Sequence, residues 1–174
     1  RGFEPDACFD WPAFKAVVRI AVRMLDNVLD VTYWPLHEQR HEAMRKRRIG
    51  LGFLGLGSAL VMLGIRYDSE QGLAFGAAVA QAMRDEAYRA SVDLACEKGA
   101  FPALDAERYL QSGFARRLPD DIRSAVAERG IRNSHLLSIA PTGTIALAFA
   151  DNASNGIEPA FAWNYTRRKR MAET

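Results

Sequence analysis

Only two cysteines occur in 174 residues, Cys8 and Cys96, and 88 positions separate them. Neither belongs to a Cys-x-x-Cys pair, and no histidine stands at ligand spacing from either. That argues against a disulfide framework and a cysteine zinc site, and it makes a reducing cytoplasm the expected setting. Long apolar runs are missing as well. None reaches the roughly 18 residues needed to cross a bilayer, and no basic-then-apolar leader opens the chain, so neither membrane insertion nor export is expected. Charge of one sign is scarce: 23 basic residues face 21 acidic ones, a net of +2, too little to draw in a polyanion by itself. Direct nucleic-acid binding is therefore not expected. There is no internal repeat and no low-complexity linker. What remains is 49% hydrophobic and 25% charged, ordinary globular usage in a length suited to one domain with a sizeable core. The chain starts without an initiator Met and stops just after the basic run Arg167–Arg170, which reads as a piece of something longer.

Periodicity places the elements. From Asp10 to about Val31 the residues Trp11, Phe14, Val17, Val18, Ala21, Val22, Leu25, Val28 and Leu29 recur in steps of three and four, predicting an amphipathic helix. Asp10 is its expected N-cap, Pro12 sits in its first turn and Pro35 lies beyond its end. A polar helix is predicted from about Leu36 to Arg47. Arg48–Gly57 then interrupts Leu, Ile and Phe with four glycines, as a buried strand entering a turn would. A short helix follows over Ser58–Leu63, and Ser69–Lys98 is the longest periodic segment, with Leu73, Ala77, Ala80, Met83, Ala87, Ala90, Leu94 and Ala95 on one face. Asp105 and Asp120 are read as caps of helices near Ala106–Ser112 and Asp121–Arg129, the second closed by Gly130. His135–Ala140 reads as a second buried strand, Ile145–Phe149 as a helix start, and Ala160–Tyr165 as a third strand.

Three segments could carry chemistry. Gly50-Leu-Gly52-Phe-Leu-Gly55 has the spacing of a dinucleotide-binding loop. It follows basic rather than apolar residues, however, and a strand packed tightly under a helix explains the same glycines. Pro141-Thr142-Gly143-Thr144-Ile145 leaves a strand and opens a helix with two hydroxyls, a glycine and free amides, a setting that suits an anion; an ordinary capped helix start accounts for it equally well. Asn152–Pro159 is turn-rich, with Asn155-Gly156 tolerant of left-handed backbone and Glu158 just beyond. The other features read as structural. His37 and His41 share a helix face without an acidic third ligand, so no metal is expected. Arg45–Arg48 and Arg167–Arg170 lack interleaved aromatics and read as solvated or partner-facing, and Trp11, Trp34 and Trp163 as core or interface.

Five of these pieces in order, Leu25-Asp-Asn-Val-Leu-Asp30, Arg47-Arg-Ile-Gly-Leu-Gly52 with Gly55-Leu56, Leu63-Gly-Ile-Arg-Tyr67, Ala140-Pro-Thr-Gly-Thr-Ile145 and Asn155-Gly-Ile-Glu-Pro159, resemble the catalytic subunit of ribonucleotide reductase. The Ala-Pro-Thr-Gly-Thr form is most similar to its adenosylcobalamin-dependent class. The resemblance implies a helix-rich α/β fold, part of a ten-stranded α/β barrel, with residues 1–174 as one segment from the C-terminal part of the catalytic domain. It also implies an oxidoreductase supplying deoxyribonucleotides for DNA synthesis. Pro141, Thr142, Gly143, Thr144 and Ile145 would hold the phosphates of the ribonucleotide substrate, di- or triphosphate alike, and Asn155, Gly156 and Glu158 would belong to an adjacent active-site loop. The family's radical cysteine on its finger loop sits in an Asn-x-Cys-x-Glu pattern that nothing here matches. No catalytic residue is therefore assigned, adenosylcobalamin is expected in the parent enzyme rather than on this segment, and the isolated segment is expected to be inert. The rest of the barrel is the expected partner. Uncovered strand edges and apolar faces would make the isolated chain either self-associate as a homo-oligomer or be marginally stable. A dinucleotide-binding module using Gly50, Gly52 and Gly55, and a helical protein-interaction fragment, stand as alternatives; the latter would show no strand before Pro141 and a large exposed apolar face.

Overall fold

The computed structural model describes residues 2–148, 154, 156–160, 162 and 166. In chain order the elements are α1 (Trp11–Val31), α2 (His37–Lys46), α3 (Leu56–Met62), α4 (Glu70–Lys98), α5 (Ala106–Leu110), a 3-10 turn (Ala115–Arg117), α6 (Asp120–Arg129) and a second 3-10 turn (Ile145–Ala148). The chain divides into two compact units, a larger one of residues 9–52 and 74–139 and a smaller one of residues 1–8, 53–73 and 140–174.

In the larger unit the helix ends follow local chemistry. Asp10 accepts from the Ala13 amide at 2.9 Å and caps α1, with Pro12 in the first turn. Asp105 caps α5 by accepting from the Arg108 amide at 3.0 Å. Gly130, at φ 74°, ends α6, in the left-handed region that favours glycine. Asp120 differs from expectation: it is the first residue of α6, and the N-cap position falls to Pro119, which offers no side-chain hydrogen bond. The core is built from Val18 and Val22 of α1, Met83, Ala87, Ala90 and Leu94 of α4, and Ile122 and Val126 of α6. Two predicted faces are only partly buried. Val17 and Val28 of α1 face solvent, as do Leu73, Ala77 and Ala80 of α4, because the apolar residues of these helices run further round the cylinder than the available neighbours cover.

A buried ionic cluster lies at the centre of this unit. Asp26 is fully buried on the face of α1 that carries Val18 and Val22. Its Oδ1 accepts from Arg47 Nε at 2.8 Å and Asn133 Nδ2 at 2.9 Å, and its Oδ2 accepts from Arg132 Nε at 3.3 Å. Arg47, left-handed at φ 45° beyond the end of α2, also donates to Asp30 at 2.8 Å. The Arg45–Arg48 run is thus not uniformly solvated: Arg45 and Arg48 are exposed and Arg47 is buried. Burial alone pushes the Asp26 carboxyl upward, but the hydrogen bonds from Arg47 and Asn133 and the charges of Arg47 and Arg132 outweigh it and hold the group below the ordinary carboxylate range.

The expected α/β fold is not found. Ile49 and Leu51 donate to the carbonyls of His135 and Leu136 at 3.0 and 2.7 Å, and Ser138 donates to Leu51 at 3.0 Å. This gives one isolated parallel bridge, Leu51 to Leu137. Among the described residues there is no strand and no portion of a barrel, so both the α/β class and the partial ten-stranded barrel are corrected to a helical chain with one bridge. The physical reason is that a parallel pair without further neighbours is marginal. These two arms also stop early, one turning into Gly55 and α3 and the other reaching Pro141, which has no N–H to donate. The third expected strand falls largely outside the described residues.

Candidate functional site

The candidate residues are assembled in the smaller unit, and the glycine-rich segment builds its base. Gly55, at φ 80°, is the N-cap of α3, and the amides of Gly55 and Leu56 donate to the Gly156 carbonyl at 2.7 and 3.3 Å. The Ser154 hydroxyl donates to the same carbonyl at 3.1 Å, and the Ser154 amide donates to Ser58 Oγ at 3.2 Å. Close approach is built in at Gly57, where a methyl group would lie 2.6 Å from the Glu158 carbonyl oxygen and 2.9 Å from Ser154 Cβ. Tyr67 donates its hydroxyl to the Ile157 carbonyl at 2.6 Å. The turn from Ser154 to Glu158 is therefore pinned from α3 and from Tyr67.

The glycine of that turn, Gly156, is buried against the Pro141 segment. A methyl on it would sit 2.8 Å from Glu158 Oε2, 3.2 Å from the Pro141 carbonyl oxygen and 3.3 Å from Thr142 Oγ1. Two of the sequence-selected segments, Pro141–Ile145 and Gly156–Glu158, are thus brought together. Asn155 lies outside the described residues. Within the first segment Thr142 is left-handed at φ 53°, uncommon for a β-branched residue, and its carbonyl accepts from the Ala146 amide at 2.8 Å. Pro141, Gly143, Thr144 and Ile145 are exposed, and nothing lies within 4 Å of the place a Gly143 side chain would take. The expected helix start is observed as a 3-10 turn over Ile145–Ala148.

The same geometry bears on the dinucleotide alternative. Gly50 and Gly52 flank the bridge residue Leu51, and a methyl on Gly52 would lie 2.2 Å from the Ser138 carbonyl oxygen. The amides of Gly55 and Leu56, which a pyrophosphate would need at the start of α3, are taken by Gly156. Tight packing, the structural explanation of these glycines, is what is seen.

Comparison with known proteins gives the family. The model of the ribonucleotide reductase barrel domain matches residues 3–174. The chain belongs to that family. It is 39% identical over 162 residues to a vitamin B12-dependent ribonucleoside-diphosphate reductase of Mycobacterium tuberculosis (strain CDC 1551 / Oshkosh), covering 93% of this chain and 21% of that protein. It is 33% identical over 158 residues to one of the same name from Thermoplasma acidophilum, covering 91% and 18%. A ribonucleoside-diphosphate reductase subunit alpha of Treponema pallidum is 32% identical over 162 residues, covering 90% and 19%. The chain spans about a fifth of the length of the curated relatives it matches. Set against the reductase family, the feature that sequence reasoning missed is the buried cluster. Asp26 and Arg47 stood within recognised motifs without a role, although an aspartate four residues after Val22 on an apolar helix face is a signal for a buried charge that needs a partner.

Proposed function

We infer that the turn Pro141–Ile145 binds the phosphate groups of a ribonucleotide in a ribonucleoside-phosphate reductase of which this chain forms a part. The observation that carries this reading is the exposed turn itself, held by Gly156 while the side of Gly143 stays open. Backbone amides after Pro141 and the Thr144 hydroxyl supply donors to a charged oxygen without any Lys or Arg. The carboxylate of Glu158, on the Gly156 side, disfavours an anion there and leaves the Gly143–Ile145 side for the phosphates. The whole enzyme reduces the ribose 2′ position, and the difficult radical step belongs to its cofactor.

Names of relatives point to a cobalamin as that cofactor. Two of the cavities in the chain, beside Tyr88 and Tyr109 and beside Leu60 and Ile65, measure about 480 and 450 Å³. Such volumes suit a small ligand rather than a corrin ring with its nucleotide loop.

Titrating a ribonucleoside diphosphate into the chain while following backbone amide chemical shifts tests the phosphate site. Shifts should cluster at residues 143–146. Thr144→Val should weaken binding by about 1.5–3 kcal/mol, the worth of a hydrogen bond to a charged group, and Gly143→Val should block the open side without lowering the melting temperature. Gly52→Ala should do the opposite, lowering the melting temperature through its clash with Ser138 and leaving the nucleotide shifts in place. Shifts that cluster at residues 50–55 and survive Thr144→Val would reverse the assignment.

A further inference from the structure

Leu63-Gly-Ile-Arg-Tyr67, one of the five pieces shared with the reductase family, has no part in the phosphate turn itself. Its last residue does reach that turn's support. The Tyr67 hydroxyl donates to the Ile157 carbonyl at 2.6 Å across 90 residues of sequence. Ile157 stands between Glu158 and Gly156, the glycine that is buried against Pro141 and Thr142. The other holds on this support act elsewhere: Ser58 accepts from the Ser154 amide, and the Gly156 carbonyl takes the amides of Gly55 and Leu56. Tyr67 is itself fixed. The Ser69 hydroxyl donates to the Arg66 carbonyl at 2.6 Å and accepts from the Gly72 amide at 3.0 Å. A methyl on Gly72, in the first turn of α4, would lie 2.6 Å from the Tyr67 carbonyl oxygen, so α4 packs directly on the Tyr67 backbone.

We propose that Tyr67 is a positioning residue for the phosphate turn: acting through the Ile157 carbonyl, it sets how Gly156 meets Pro141 and Thr142, and thereby where the amides of residues 143–145 point. The proposal rests on the phosphate reading of Pro141–Ile145. Its physical basis is the backbone of Thr142, left-handed at φ 53°. A β-branched residue keeps that conformation only where its surroundings impose it, and Gly156 is part of those surroundings. With the Ile157 carbonyl released, Gly156 can retreat, Thr142 can relax, and the amides that follow turn away from the phosphates. The fold as a whole has less at stake. The Tyr67–Ile157 bond lies at the surface, where water takes the place of a lost partner, so losing it costs the folded chain little. A residue that served stability alone would show the opposite balance.

Tyr67→Phe tests this, because phenylalanine keeps the ring and removes only the donor. Without ligand, the backbone amide shifts of residues 142–146 should move along with those of residues 156–158. Cytidine diphosphate and inorganic pyrophosphate should both bind about two- to tenfold more weakly, the worth of one hydrogen bond, at an unchanged melting temperature. Arg66→Ala serves as the control. Its side chain is paired with Asp68 rather than with the turn, so neither the shifts at 142–146 nor the affinities should change. Unmoved amides at 142–146, an unchanged affinity, or a loss of affinity matched by a fall in melting temperature would each overturn the proposal. Failure of the phosphate reading looks different: the unaltered chain would then show no diphosphate-induced shifts at residues 143–146, and this inference would fall with it.

Discussion

Asp26 shows how much can rest on one side chain. A carboxylate with no exposed surface would be intolerable alone, yet it sits among Arg47, Arg132 and Asn133 with every contact at hydrogen-bond distance. Asn133 also donates to the Arg47 carbonyl at 3.1 Å, and the Ser134 amide donates to the Lys46 carbonyl at 3.1 Å. The cluster thus ties together the two stretches of chain that go on to form the Leu51–Leu137 bridge. Because the folded carboxyl titrates below its unfolded value of about 3.9, its contribution is complete above that value and is lost as the pH falls through the folded one. Asp26→Asn should therefore cost about 3–5 kcal/mol at neutral pH, as breaking a buried pair does, and should flatten the acid limb of the stability curve below about pH 4. Urea midpoints of both proteins from pH 7 to pH 3 measure this. An unchanged neutral midpoint would mean that the cluster does not hold the unit together.

Helix ends were legible and helix faces only in part. Capping depends on residues three or four apart, so Asp10, Pro12 and Asp105 announce themselves in the sequence. Asp10→Ala should cost roughly 1 kcal/mol, read as a shift of the urea midpoint with unchanged slope; no shift would show that the Asp10–Ala13 hydrogen bond contributes nothing net. Burial depends on neighbours that no local pattern reports. The nine apolar positions of α1 gave the helix correctly, but only Val18 and Val22 among them are buried. α4 likewise buries its expected face from Met83 onward and exposes Leu73, Ala77 and Ala80.

Across the whole chain, the family match covers residues 3–174 while the relatives are about five times longer. Cys8 and Cys96 are both free and exposed, and neither stands between the Asn and Glu that mark the family's radical cysteine. Incubated with a ribonucleoside diphosphate, adenosylcobalamin and a dithiol reductant, the chain should make no deoxyribonucleotide by chromatographic assay. Product formation that survives replacement of both cysteines by serine would require a different reaction altogether.

The sequence by itself determined the helices, the caps at Asp10 and Asp105 though not the one expected at Asp120, and the family, because hydrophobic period and capping are local and because five motifs in a fixed order are specific. It also singled out Pro141–Ile145, Gly156 and Glu158 before anything joined them. Tertiary structure alone decided that Gly156 packs against Pro141 and Thr142 while its carbonyl occupies the start of α3. It decided, too, that Arg47 leaves the solvated run around it to meet Asp26. The same holds for the expected strands: a run of Leu, Ile and glycine states only that a segment is apolar and extended, and whether it joins a sheet depends on neighbouring segments, which among the described residues these two find only in each other.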